Sequence, residues 1–237
     1  MPRTRTTRST LARATSRTRR RALLAGALSL SALATMAGCN YISAGMYLVG
    51  GGPKIEAVYS LDGSRTTVVF VDDRTNVVPR RSLRMIIGQQ AEETLMLQKV
   101  LKPEMVIPTQ SALRAVQQER SNEPMSIVDV GRAVGSDVVI YVIVDRFTLS
   151  REGVAYEPFA AGRAKVFDAA NNYRMWPASA VGHAFQVEIP VRPDAAPTGV
   201  SERLAAEEAL ARRFGEAVAQ LFYTREREGG PASRRFD

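Results

Sequence analysis

The sequence predicts a single α/β domain of α+β character: a mixed sheet of about five strands with helices packed on it and a C-terminal amphipathic helix. Three observations lead there. Val138-Val139-Ile140-Tyr141-Val142-Ile143-Val144 is apolar at every position, as a strand covered on both faces requires. Strand-like and helix-like periods alternate on either side of it. Leu210, Phe214, Ala217, Val218, Leu221 and Phe222 share one stripe of a helix spanning Ser201 to Tyr223, with Glu207, Glu208, Arg212, Arg213 and Glu216 on its remaining surface.

The elements follow in order. Thr66-Thr67-Val68-Val69-Phe70-Val71 is β-branched and aromatic and stops at Asp72-Asp73, which gives a buried strand. Pro79 suits the start of a helix carrying Leu83, Ile86, Ile87, Ala91 and Leu95 at helical spacing. Met105-Val106-Ile107 is a short strand, and Thr109 to Glu119 a short helix. Ser126-Ile127-Val128-Asp129 reads as a capping box opening a brief helix that ends at Gly135. The central strand runs from Asp137 to Phe147. After Gly153 come half-buried strands, Gly162 to Ala169 and Arg174 to Ile189, joined by a turn at Asn171-Asn172. The second bends at Trp176-Pro177, because proline cannot donate to a ladder. On it Val181, His183, Phe185, Val187 and Ile189 are expected to share one face.

The amino terminus dictates how charge is read. The chain has 237 residues and a formal net charge of +8, which would ordinarily suggest an anionic partner. Eight arginines stand among residues 1–21 without an acidic residue; with them set aside from the 32 basic side chains, 24 basic face 24 acidic ones. A neutral remainder gives no basic footprint for nucleic acid. Ala22 to Gly38 is uncharged and ends in small residues, the order of a secretory signal, and is somewhat short of the roughly 20 residues of a bilayer span. An organelle transit peptide and an uncleaved anchor are the competing readings. Thr18-Arg19-Arg20-Arg21-Ala22-Leu23-Leu24 also has the look of a twin-arginine export signal, so the export route stays open.

Thr35-Met36-Ala37-Gly38-Cys39 closes that stretch on the chain's one cysteine and resembles a bacterial lipoprotein signal. The resemblance implies a diacylglycerol thioether on Cys39, a signal peptide over 1–38, palmitate-type acylation and anchoring to a membrane, with the domain in the periplasm. In lipoproteins an aspartate after the cysteine is the inner-membrane retention signal; Asn40 stands there, which points to the outer membrane. Residues 39–64, broken at Gly50-Gly51-Gly52-Pro53, read as a lipid-anchored tether, 65–224 as the α/β domain and 225–237 as a flexible tail.

Val68 to Asp73, Asp129-Val130-Gly131-Arg132-Ala133-Val134-Gly135-Ser136-Asp137 and Lys165-Val166-Phe167-Asp168 through Trp176 together resemble the small α/β domains of the envelope proteins CsgG, LpoB and the amino-terminal domain of TolB. That likeness implies a mixed sheet and a non-catalytic role in the envelope with a protein partner; it leaves the oligomeric state open.

Candidate chemistry is sparse. His183, the one histidine, lies on an apolar strand face and reads as structural. No nucleophile-elbow, phosphate-loop or HExxH pattern occurs, so no catalytic residue, metal site or cofactor is expected. Asp145 and Asp168 are acidic residues that nothing in the sequence brings together. Asp72, Asp73 and Arg74 end the first strand, where open α/β sheets bind ligands. Arg80, Arg81 and Arg84 follow in the first turns of a helix, a placement that needs a compensating anion or carboxylate. Asp72, Asp73, Arg80, Arg81 and Arg84 thus form a candidate anion or partner patch. The leading expectation is a lipid-anchored protein-binding or assembly component of the outer membrane or cell wall; the alternative is a periplasmic small-ligand carrier or sensor using a pocket at the strand ends.

Overall fold

The computed structural model describes residues 54–118, 124–151, 155–190 and 196–226. Cys39, Asn40, the signal region and residues 227–237 lie outside them. Contacts divide the chain into two units, and Ile55–Arg225 is the unit that holds the fold.

The strands are β1 (Lys54–Ile55), β2 (Thr67–Asp72), β3 (Val106–Ile107), β4 (Val138–Arg151), β5 (Ala155–Asp168), β6 (Tyr173–Trp176), β7 (His183–Glu188) and β8 (Arg225–Glu226). The helices are α1 (Arg81–Leu97), α2 (Thr109–Gln118), α3 (Ile127–Ala133) and α4 (Val200–Ala219). Six strands form the main sheet in the order β3-β2-β4-β5-β6, with β7 also on β5. β2 pairs in parallel with β3 and β4; β4 with β5, and β5 with β6 and β7, are antiparallel. The predicted fold class therefore holds, with one strand more than expected.

Why β2 and β4 lack alternation is visible in the two layers that cover them. On one face Val69, Val71, Ile140 and Val142 pack against Leu83, Ile87, Ala91 and Leu95 of α1 and Leu210, Phe214 and Val218 of α4. On the other Val68, Phe70, Val139 and Tyr141 meet Ala112 of α2 and Val130 of α3. Burying a side chain of this kind contributes about 1.5–3 kcal/mol. Backbone must come close for α1 and α4 to pack: a Cβ on Gly215 would press on the Ile87 carbonyl and lie 2.9 Å from Cβ of Gln90.

Local chemistry sets the element ends. The Ser126 hydroxyl accepts the Asp129 N–H at 3.2 Å and donates to its carboxylate at 2.6 Å, so α3 starts where expected. At its other end Gly135 takes φ +72° while Ser136 N–H reaches the Gly131 carbonyl and Gly135 N–H that of Arg132, a Schellman closure. In α4, Glu202 accepts the N–H of Thr198 at 2.7 Å.

Several expectations are corrected. β5 begins at Ala155, not Gly162: alanines and Pro158 hide its first half, and the proline sits where the β4–β5 register shifts between Thr148 and Ser150, an irregularity of the kind that tolerates proline in a strand. The expected strand Arg174 to Ile189 is two strands. β6 pairs with Val166–Asp168 and β7 with Phe159–Ala164, and the chain leaves the sheet between them, opposite Lys165, with a cis Trp176–Pro177 bond. Val181 falls in that excursion and is 60% exposed, whereas His183, Phe185 and Val187 turn inward; Phe185 stacks on Phe214 at 4.8 Å. Glu207, expected on the outer surface of the last helix, is buried. Residues 55–64, within the stretch read as a tether, fold onto the domain, which is compatible with that reading: Val58 and Tyr59 N–H both meet the Leu221 carbonyl, and the Tyr59 ring lies 5.6 Å from Trp176.

Candidate functional site

β2 ends at Asp72, opposite Ile143 of β4, while β4 and β5 run on past it. On the face that α2 and α3 share, an open cavity of about 370 Å³ lies at this point. Its wall is built by period-two geometry: Tyr141, Ile143 and Asp145 come from β4, and Arg163 and Lys165, paired with Ile143 and Tyr141, from β5. Arg74 and Thr75 come from the loop after β2, and Ile127 from the start of α3. Apolar and cationic side chains thus converge on one space.

Its donors are mostly committed. The Tyr141 hydroxyl donates to Asp72 Oδ2 at 2.6 Å, and burial, reinforced by that bond, pushes its ionisation upward, so it stays a neutral donor. Arg74 Nε donates to the same carboxylate at 2.7 Å. Arg163 grips Asp145 with Nε at 2.8 Å and Nη2 at 2.5 Å, a two-point pairing. Lys165 makes no hydrogen bond or ion pair among the described residues. Burial lowers its pKa, and Arg174, Arg163 and Arg74 add to the effect.

No family model and no curated protein matches the chain. Among solved structures it is similar to the PelC dodecamer from Paraburkholderia phytofirmans (12% identity, 72% of this chain and 96% of that one, TM-score 0.39). It is also similar to the lipoprotein GNA1162 from Neisseria meningitidis (13%, 64% and 98%, TM-score 0.36). A third is the protein CT253 from Chlamydia trachomatis (12%, 65% and 93%, TM-score 0.39). Likeness at these TM-scores bears on neither the partner nor the chemistry of this chain.

The residues singled out in the sequence part company. Asp72 lies behind the cavity wall as the acceptor shared by Tyr141 and Arg74. Asp73 instead organises the loop, accepting the N–H groups of Val77 at 2.8 Å and Val78 at 3.0 Å. Arg84 donates from Nε and Nη2 to the Val71 carbonyl at 3.0 and 2.7 Å. Arg80 pairs with Glu207 at 2.9 Å and reaches the Leu204 carbonyl at 3.2 Å. The compensation that these arginines require is therefore intramolecular. Arg81 is exposed.

Asp145 and Asp168 stand on the order of 20 Å apart along the β4–β5 ladder. Asp168 is held by Arg65 at 2.8 Å and by Asn171 N–H at 2.7 Å; burial alone would raise its carboxyl, and these bonds outweigh it and hold it below the ordinary range. The His183 ring lies 5.0 Å from that of Trp176. Among the described residues no three metal-ligating side chains form a group, and no helix is long and apolar enough to cross a membrane. Sequence reasoning passed over Tyr141, Ile143, Arg163 and Lys165. A signal existed: Arg163 and Lys165 stand two apart on a strand read as half-buried, which puts both charges on one face.

Proposed function

We propose that this protein is a lipid-anchored component of the cell envelope that works by binding rather than catalysis, as a protein-binding or assembly factor of the outer membrane or cell wall. Anchoring is supported by the run ending at Cys39, and the outer membrane by Asn40. The resemblance of the strand and loop motifs to the CsgG, LpoB and TolB group supports an envelope role. The observation that carries binding is the open cavity at the end of β2, where the β4–β5 ladder presents Lys165, Arg163 and Ile143 level with the last residues of β2 and Asp145 just beyond them. Arg81 adds an exposed charge to the docking patch proposed around Asp72 and Asp73.

Crosslinking in intact cells, with a photoreactive residue replacing exposed Thr75 in the full chain, tests this reading. Repeated recovery of one envelope protein supports it, and recovery of none counts against it. Charge reversal at Arg81 is the matching test of the patch, because Arg80 and Arg84 are needed by the fold; unchanged capture removes Arg81 from the docking surface.

The cavity favours a second reading, a carrier or sensor of a small ligand. Bound small molecule in protein extracted from membranes would support it.

A further inference from the structure

We infer that the cavity beside Lys165 is a binding site for a small oxyanion ligand, a carboxylate or phosphate joined to an apolar body, with the Lys165 ammonium as its anchoring donor. This rests on the second reading above and gives it a chemistry.

Arg74, Arg163 and Lys165 line the cavity, and among the described residues the carboxylates paired with them are Asp72 and Asp145. Arg74 takes the first and Arg163 the second, each at 2.8 Å or less, which leaves one positive charge over. That charge is Lys165, half-buried and with its N–H donors unspent among the described residues. An ammonium partly removed from water and set among other cations gains from an anion beside it, and its pKa is lowered by burial first and by Arg174, Arg163 and Arg74 after it. The Tyr141 hydroxyl cannot serve a ligand as donor, because its proton is given to Asp72. Ile127 and Ile143 supply apolar wall beside the charges, Ile143 as the cross-strand neighbour of Arg163. One free cation next to hydrocarbon selects an anion with an apolar portion, and a cavity of about 370 Å³ has room for a small one.

Benzoate and phenyl phosphate are suitable probes, with benzylamine and benzyl alcohol as charge controls, titrated against the full chain in zwitterionic nanodiscs with binding read by backbone amide shifts. The expected result is saturable shifts at Tyr141, Ile143 and Lys165 for both anions and none for benzylamine. Lys165→Gln should weaken the anions about tenfold or more, and Lys165→Arg should restore most of the loss. Equal binding of benzyl alcohol or benzylamine would keep a small-ligand cavity and overturn its anionic character. Absence of saturable shifts for every probe would overturn both readings. The comparison of probes on the unaltered chain stands even if Lys165→Gln fails to fold.

Discussion

The guanidinium of Arg80, the residue just before α1, lies 2.9 Å from the buried carboxylate of Glu207 in the middle of α4. A cation at a helix amino end is unfavourable to the backbone dipole, and a carboxylate in a helix interface is costly when unpaired; each removes the other's penalty. The pair fixes how the two helices on the more extensively packed face of the sheet meet. Removing Arg80 leaves Glu207 with the exposed Arg203 alone, at 3.4 Å, so Arg80→Met should destabilise the domain by about 1–2 kcal/mol, below the values for buried pairs because Arg203 remains and Arg80 is 30% exposed. Glu207→Gln should cost less, and Arg80→Met with Glu207→Met should recover part of the loss. Urea unfolding of the variants checks this; an Arg80→Met midpoint equal to wild type would show the pair to be inert.

Glu92 gives the fold a pH response. It is buried in α1, where it accepts the Thr109 N–H at 2.5 Å, and burial raises its pKa to about 7 despite that bond. A carboxyl raised above its unfolded value of about 4.5 binds more protons folded than unfolded, so the contribution of Glu92 to stability is fully present below pH 4.5 and is lost as pH climbs through about 7. The loss across that window should amount to about 1–3 kcal/mol. Glu92→Gln keeps an acceptor for Thr109 and should flatten this part of the profile, making the variant the more stable protein at pH 8. Parallel pH profiles for variant and wild type would disprove the assignment.

Gly215 is where α4 touches the backbone of α1. Because an added methyl would meet the Ile87 carbonyl and Cβ of Gln90, Gly215→Ala should cost about 1–3 kcal/mol by overpacking, although alanine is the better helix former. An increase in thermal midpoint would show that the helices can part without penalty.

Cys39→Ser tests the anchor separately from the domain. Acyl labelling and membrane retention should both be lost, while the circular dichroism of the domain stays unchanged. Continued labelling would place the lipid elsewhere.

Much of the fold was legible because burial writes itself into residue types. Val138–Val144 lies between β2 and β5 with both faces covered, as its unbroken apolar run requires. The Ser126–Asp129 cap and Gly135 mark the ends of α3 as local chemistry dictates. The first half of β5 was hidden because its alanines and proline are chosen by neighbours: Ala160 is fully buried between its cross-strand partners Phe147 and Val187. No local preference records that contact. The same holds for the site. Arg80 and Arg84 look like free cations in a list of residues, and only the tertiary structure shows Glu207 and the Val71 carbonyl absorbing them. The unmatched cation, Lys165, becomes visible once Asp145 is seen to belong to Arg163.

β5 is flanked on both edges for most of its length, yet opposite Lys165 its outer neighbour is missing, because β7 has paired up to Ala164 and β6 resumes at Val166. This makes position 165 a one-residue window between two paired stretches, Phe159–Ala164 and Val166–Asp168. A change of side chain there disturbs a single cross-strand neighbour, Tyr141, instead of two. Natural drift can therefore retune what the cavity accepts at position 165 at little cost in folding, while the surrounding strands hold the frame constant.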